Sequence, residues 1–279
     1  MGKVITINRK VEFQISDEDI ISTSYKVKVN GNQEDVETKI KRVANDTVNS
    51  YKRYNIVFYK KFKIDGAVYG KSFESVLRKY NISLLENNDK KFVFSLGMTR
   101  GTIPRAALKK LKSDTTIKCT DVGVNLIEAI PVILANFDNM DVNSGWFTKL
   151  GTQLQNALLQ GEGVNDNDDW KKFRDVNGSK LTNVQFKIYD DEISSNGYIL
   201  MSLSSRGFIH TNSSISDSRY LDIVEDIVNV LDRNNALIYD KIDEDLDDDE
   251  DDLVEDLIEK LDFIENEEYF TENLEEILI

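Results

Sequence analysis

The sequence holds a single cysteine, Cys119, a single histidine, His210, and only two prolines, Pro104 and Pro131, in 279 residues. One cysteine forms no intrachain disulfide, which fits a reducing compartment. One cysteine and one histidine do not build a Cys/His zinc centre, which takes at least three such ligands. Long apolar runs are also missing. The longest, over 125–137, is too short to span a bilayer and contains Glu128. The opening residues Met1–Ile7 form a short alternating run where a signal peptide would have an apolar core. A cytoplasmic protein with no membrane partner is therefore expected. No GxxxxGK[ST] loop, GxGxxG fingerprint or GxSxG elbow occurs, which argues against the common nucleotide-binding folds and the serine hydrolase pattern. No cofactor and no metal are expected, and no motif fixes a reaction.

What is present is charge, unevenly spread. The net charge is −15. Residues 1–120 hold 24 Lys and Arg against 13 Asp and Glu, whereas 121–279 hold 11 against 37. From Asp240 onward there are 20 acids and 2 bases, so residues 1–239 are left at +3. Such asymmetry points to a nucleic-acid-binding body or an acidic interaction tail, although acid alone also keeps a protein soluble. With 40% hydrophobic residues, most of the chain has enough apolar surface to fold. Abundant Lys, Ile and Asn suggest an AT-rich genome, that of a low-GC bacterium or its phage.

Periodicity assigns elements along the chain. Val4–Ile7, Val11–Ile15 and Tyr25–Val29 alternate as strands, the last ending at the turn Asn30–Gly31–Asn32. Gln33–Tyr51 reads as a helix through Val36, Ile40, Val43 and Val48. A long strand follows, with Ile56, Phe58, Phe62 and Ile64 on one side and Val57, Tyr59, Lys61 and Lys63 on the other. Asp65–Gly66 suggests a hairpin turn. Ser72 would cap a helix to Tyr80, and Lys91–Leu96 reads as a strand. Helices are predicted over Arg105–Lys112, Leu126–Phe137, Trp146–Leu159 and Asp217–Leu231, and short strands over Ile117–Cys119, Val184–Tyr189, Tyr198–Leu203 and Gly207–His210. The expectation is an α+β fold, mainly antiparallel sheet segments with packed helices. Its expected parts are a basic region 1–160, a second α+β region 161–239 and an acidic helical tail 240–279.

The tail begins as a solvated acidic run and then acquires a pattern. Val254, Leu257, Leu261 and Ile264 recur at helical spacing beneath a carboxylate-covered face, a stripe suited to docking. Repulsion between carboxylates means that such a helix needs a partner surface. That surface is its own basic half, a second subunit or partner protein, or a nucleic-acid-binding groove elsewhere that the tail mimics. An EF-hand is excluded by the absence of its glycine and ligand spacing.

Two clusters are candidates for a backbone-tracking surface, the first interleaving basic and aromatic side chains and the second basic alone. The first contributes Lys52, Arg53, Tyr59, Lys61 and Lys63, and the second Arg100, Arg105, Lys109, Lys110 and Lys112. An ordinary half-buried strand with a lysine-rich outer face gives the same pattern. Gly97–Thr102 is the nearest thing to a phosphate cradle, between a strand and a helix start. His210 lies near several serines but lacks an elbow, and Cys119 fits a small buried apolar residue. Carboxylates leave room for a metal-dependent nuclease. The candidates are Asp190 with Glu192 at a strand end, Glu37 with Lys39 on the predicted helix, and Asp169 with Lys171 in a loop.

The reading is a non-catalytic regulatory protein whose basic half contacts nucleic acid or another anion. Its acidic tail inhibits that contact or docks a protein, a profile suited to phage defence or counter-defence. The alternatives are a carboxylate-dependent phosphodiesterase, and an oligomeric scaffold or nucleic-acid mimic.

Overall fold

The computed structural model describes residues 2–239 apart from 17, 69–70, 98–100, 113–115 and 191–196. Strand accounts for 54% and helix for 22% of these described residues. The expected α+β class is therefore corrected to a mostly β fold, one large antiparallel sheet carrying four helices.

The first seven strands and first helix are β1 (Lys3–Phe13), β2 (Ile20–Val29), β3 (Asn32–Val48), β4 (Tyr51–Val68), β5 (Lys71–Glu86), β6 (Phe92–Gly97), α1 (Thr102–Lys112) and β7 (Ile117–Asp121). Next come β8 (Gly123–Val124), α2 (Leu126–Asn136), β9 (Met140–Thr148), β10 (Asn156–Gln160) and α3 (Asp168–Arg174). The last are β11 (Lys180–Tyr189), β12 (Tyr198–Ser204), β13 (Phe208–Thr211), α4 (Asp217–Arg233) and β14 (Leu237–Ile238). Twelve strands form one sheet in the order β10-β9-β11-β12-β13-β1-β6-β5-β4-β3-β2, with β7 added on β1, while β8 and β14 pair separately. Met1–Asp240 is one compact unit. Within it the sheet joins residues on both sides of 160, as β9 pairs β11 and β1 pairs β13. Among the described residues no helix is long and apolar enough to cross a membrane.

Two apolar cores lie on opposite sides of this sheet. Successive strand residues point to opposite faces. Leu85 and Phe94 are paired and belong to one core, while their neighbours Leu84 and Val93 belong to the other. The larger core takes Leu126, Ala129, Ile130 and Ile133 from α2 and Leu221, Val224, Ile227, Val228 and Leu231 from α4. The smaller receives Ile103, Ala107, Leu108 and Leu111 from α1, over Ile40, Tyr54, Ile56, Phe58 and Leu84. Between them β1 is covered on both sides, with Ile5, Thr6, Ile7 and Asn8 all buried.

Three predicted helices are strands. Over 33–51 the apolar residues fit a helical stripe loosely, but Val36, Thr38 and Ile40 are buried and alternate with Glu37, Lys39 and Lys41. β-Branched residues at period two favour a pleated strand, and Glu37 and Lys39 accordingly lie on β3. Ser72–Tyr80 belongs to β5, whose alternation becomes plain only at Tyr80, Ile82 and Leu84. Residues 146–159 fall in β9, β10 and the segment between them. The pairing of β9 with β11 shifts register near Gly145, which breaks the simple alternation. Asp65–Gly66 is not the hairpin turn: β4 runs on to Val68, and Gly66 pairs with Phe73. A Cβ at Gly66 would come within 2.5 Å of the Phe73 ring, so the glycine makes room for the aromatic. Asp169 and Lys171 sit on α3 instead of in a loop.

Candidate nucleic-acid interface

β4 carries two chemistries because its side chains alternate. Tyr54, Ile56 and Phe58 are buried toward α1. On the other side run Asn55, Val57, Tyr59, Lys61 and Lys63, half-buried at first and exposed from Lys61 on. Pairing brings the neighbouring strands into the same pattern. Lys41, Asn55 and Ser83 stand in one row, and Lys39, Val57 and Asn81 in the next. Tyr59 then faces Lys79, Lys61 faces Leu77 and Lys63 faces Ser75. Ile20 and Ser22 of β2 extend the first two rows.

Five exposed lysines, Lys39, Lys41, Lys61, Lys63 and Lys79, thus share a side of the sheet on which none of them joins an apolar core. Glu37 lies beside them, and its carboxylate accepts a 2.6 Å ion pair from Lys39. That bond, then one from Ser22, holds the Glu37 carboxyl below its usual value. Arg53, on the same side nearer the core, is committed elsewhere: it meets Asp217 at the start of α4 at 3.3 Å and Asp46 at 3.4 Å.

The ten predicted basic and aromatic residues are therefore not one surface. Tyr59, Lys61 and Lys63 lie on the open side. Lys52 points the other way, into an open groove of about 590 Å³ that it shares with Phe13, Gln14, Tyr54, Asn88 and Thr116. Lys109, Lys110 and Lys112 are exposed on α1, on that same opposite side, and the Lys110 ammonium stands 4.7 Å from the centre of the Tyr25 ring. Arg105 is an internal staple. Its guanidinium donates to the carbonyls of Val122, at 2.9 Å, and Arg206, and stacks 4.4 Å over Phe208. Arg100 and the tail residues Val254, Leu257, Leu261 and Ile264 lie outside the described residues.

Lys39, Lys41 and Lys79 were missed because their segments read as helices. The signal that finds them is the Val36–Lys41 alternation, which places Lys39 and Lys41 on the side away from Ile40.

The catalytic candidates do not converge. Asp190 accepts a 2.6 Å bond from Arg219, and Glu192 lies outside the described residues. Glu37 and Lys39 bond to each other on the exposed sheet. Among the described residues no group of three His, Cys, Asp or Glu is placed to hold a metal ion. Burial pushes the Cys119 thiol up to about 12, so it stays protonated and a poor nucleophile at neutral pH. Burial lowers His210 to about 4, leaving it neutral there.

The sequence matches no known family model and no curated protein.

Proposed function

We propose that this chain is a non-catalytic binding protein that takes an anionic partner, nucleic acid, on the open side of β3, β4 and β5. The observation that carries the reading is the row structure itself: five exposed lysines on three adjacent strands, with the polar side chains of Asn55, Asn81 and Ser83 between them. The opposite side of the same strands is apolar and packed, so lysine placement follows the solvent side of a half-buried sheet. Five cations on one side of the sheet, one of them paired with Glu37, form a field that phosphates neutralise with release of counterions. The acidic tail supplies the regulatory half of the proposal. Its 20 acids over residues 240–279 are a polyanion on the same chain that competes for the lysines or recruits a protein of its own.

The test compares the full chain with a truncation after Asp240, which keeps the compact unit whole. Both are titrated with a fluorescent oligonucleotide between 50 and 300 mM salt. Tighter binding by the truncated chain is expected, with affinity falling as salt rises at a log–log slope of about −3 to −5 for five contacts. Reversing Lys61 and Lys63 to glutamate should abolish it. Absence of binding by either chain overturns the proposal.

A further inference from the structure

We infer that the nucleic acid taken by this face is single-stranded, lying across the strands with a base stacked on Tyr59; this rests on the nucleic-acid reading of the face proposed above. The first argument is shape. The side that bears the lysines spans β2 to β5 as one surface, about 14 Å across at normal strand spacing before side chains are added. A duplex major groove is about 12 Å wide and admits a helix or a two-stranded ribbon, not a four-stranded face.

The distal part of β4 and β5 is itself a two-stranded ribbon, but it is bound to the β2–β3 hairpin. The Tyr25 hydroxyl donates to the Tyr59 carbonyl at 3.2 Å. At the β2–β3 turn, the Asn30 side chain accepts from the backbone N–H groups of Glu74 and Ser75 and donates to the Ser75 carbonyl. The β2–β3 hairpin is thus latched to the ribbon, with Tyr25 packed against the same core as Phe62. The Asn30 side chain also accepts from the Ser75 hydroxyl, which is buried there, so the ribbon does not stand free to enter a groove.

The second argument is chemical. Tyr59 is a half-buried aromatic that belongs to neither apolar core, on a side of the sheet it shares with the lysines and with Val57 and Leu77. It faces Lys79 across the pair, with Lys61 next on its own side of the strand. A ring flanked by cations binds a nucleotide through its base face and its phosphates together, which requires the base to be unstacked from its neighbours. In a duplex the base faces are covered and the ring meets only edges. Asn81 and Asn55 stand one and two rows away with amides that can pair with exposed base edges.

The experiment uses the chain truncated after Asp240 and a 15-nucleotide mixed-sequence DNA, single-stranded or annealed to its complement, at one fixed salt. Tyr59→Leu leaves a smaller apolar side chain and removes the aromatic face; Tyr59→Phe keeps the face and removes the hydroxyl. Thermal unfolding confirms that both variants fold. The expected result is tighter binding of the single strand, weakened roughly 5- to 100-fold by Tyr59→Leu and little changed by Tyr59→Phe. Equal or tighter duplex binding, or a Tyr59→Leu variant as good as the parent, overturns the single-strand inference and leaves the basic face standing. Binding of neither form removes the underlying reading as well.

Discussion

His210 shows how one residue couples burial to solution behaviour. It sits on β13, paired with Val4 on one side and Ser202 on the other, and Gly2 closes over it. A Cβ at Gly2 would lie 2.9 Å from the imidazole Nε2, so even an alanine would collide there. Burial is the cause that lowers this histidine to about 4. In the unfolded chain a histidine takes its proton near 6.5. Between these values the unfolded state binds more protons than the folded one. The stabilisation is therefore complete above about pH 6.5 and declines as pH falls, with the loss finished near 4. The whole effect is at most about 3 kcal/mol. Urea unfolding of the parent and of His210→Gln at pH 7.5, 6, 5 and 4 checks this. The parent should lose stability across the window and the variant should be flatter. Asp217 and Asp232, which are held low through Lys3 and Lys91, contribute only at the acid end, so they do not mimic the histidine. A parent curve no steeper than that of the variant between pH 6.5 and 5 would mean that His210 protonates without opening the structure.

At the scale of elements, the β2–β3 hairpin depends on its turn. Asn30 and Gly31 both have positive φ, 49° and 86°, the backbone of a tight turn matched to strand twist. Asparagine tolerates that conformation, and its amide then makes the latch to Glu74 and Ser75. Asn30→Ala loses the latch and takes on left-handed strain, at a cost of about 2–3 kcal/mol. Hydrogen exchange at the Glu74 and Ser75 amides should accelerate by one to two orders of magnitude. Asn30→Asp keeps the two acceptor bonds and should protect both amides; unchanged exchange in Asn30→Ala would show that the latch is dispensable. This turn was legible because its signal is local, as were β6, β11, β12, α1, α2 and α4, whose apolar runs or amphipathic stripes lie within the segment itself. β3, β5 and β9 were not legible. Val36, Ile40 and Val43 also satisfy a helical spacing, and only pairing with β2 and β4 decides between the two periods. The candidate interface divides in the same way. Tyr59, Lys61 and Lys63 follow from alternation within β4, whereas Lys39, Lys41 and Lys79 join them through the register of neighbouring strands, which no single segment encodes. Arg53 and Arg105 have a basic side chain in a promising stretch, yet their partners, Asp217 and the Arg206 carbonyl, are more than a hundred residues away.

For the molecule as a whole the question is whether two cores on one sheet unfold together. Both tryptophans belong to one end. Trp170 packs edge-on to Phe147 at 4.9 Å, with its ring over Gly145, and Trp146 lies next to them on β9. The smaller core around Ile56 and Leu84 contains neither. Between the two ends stand β1 and β6, which contribute to both faces: Phe94 and Ile7 to the larger core and Val93 to the smaller. Strands buried on both sides cannot lose one layer without exposing their backbone, so they should couple the layers. Leu84→Ala removes a fully buried side chain from the smaller core and should cost about 2–5 kcal/mol. If the unit is cooperative, the tryptophan fluorescence midpoint in urea falls by about 1 M, in step with the loss of far-ultraviolet circular dichroism. A tryptophan midpoint that stays put while the dichroism is lost earlier would mean that the sheet parts at β1 and β6. The open basic face would then belong to a separately unfolding half, and its binding would report the stability of that half alone.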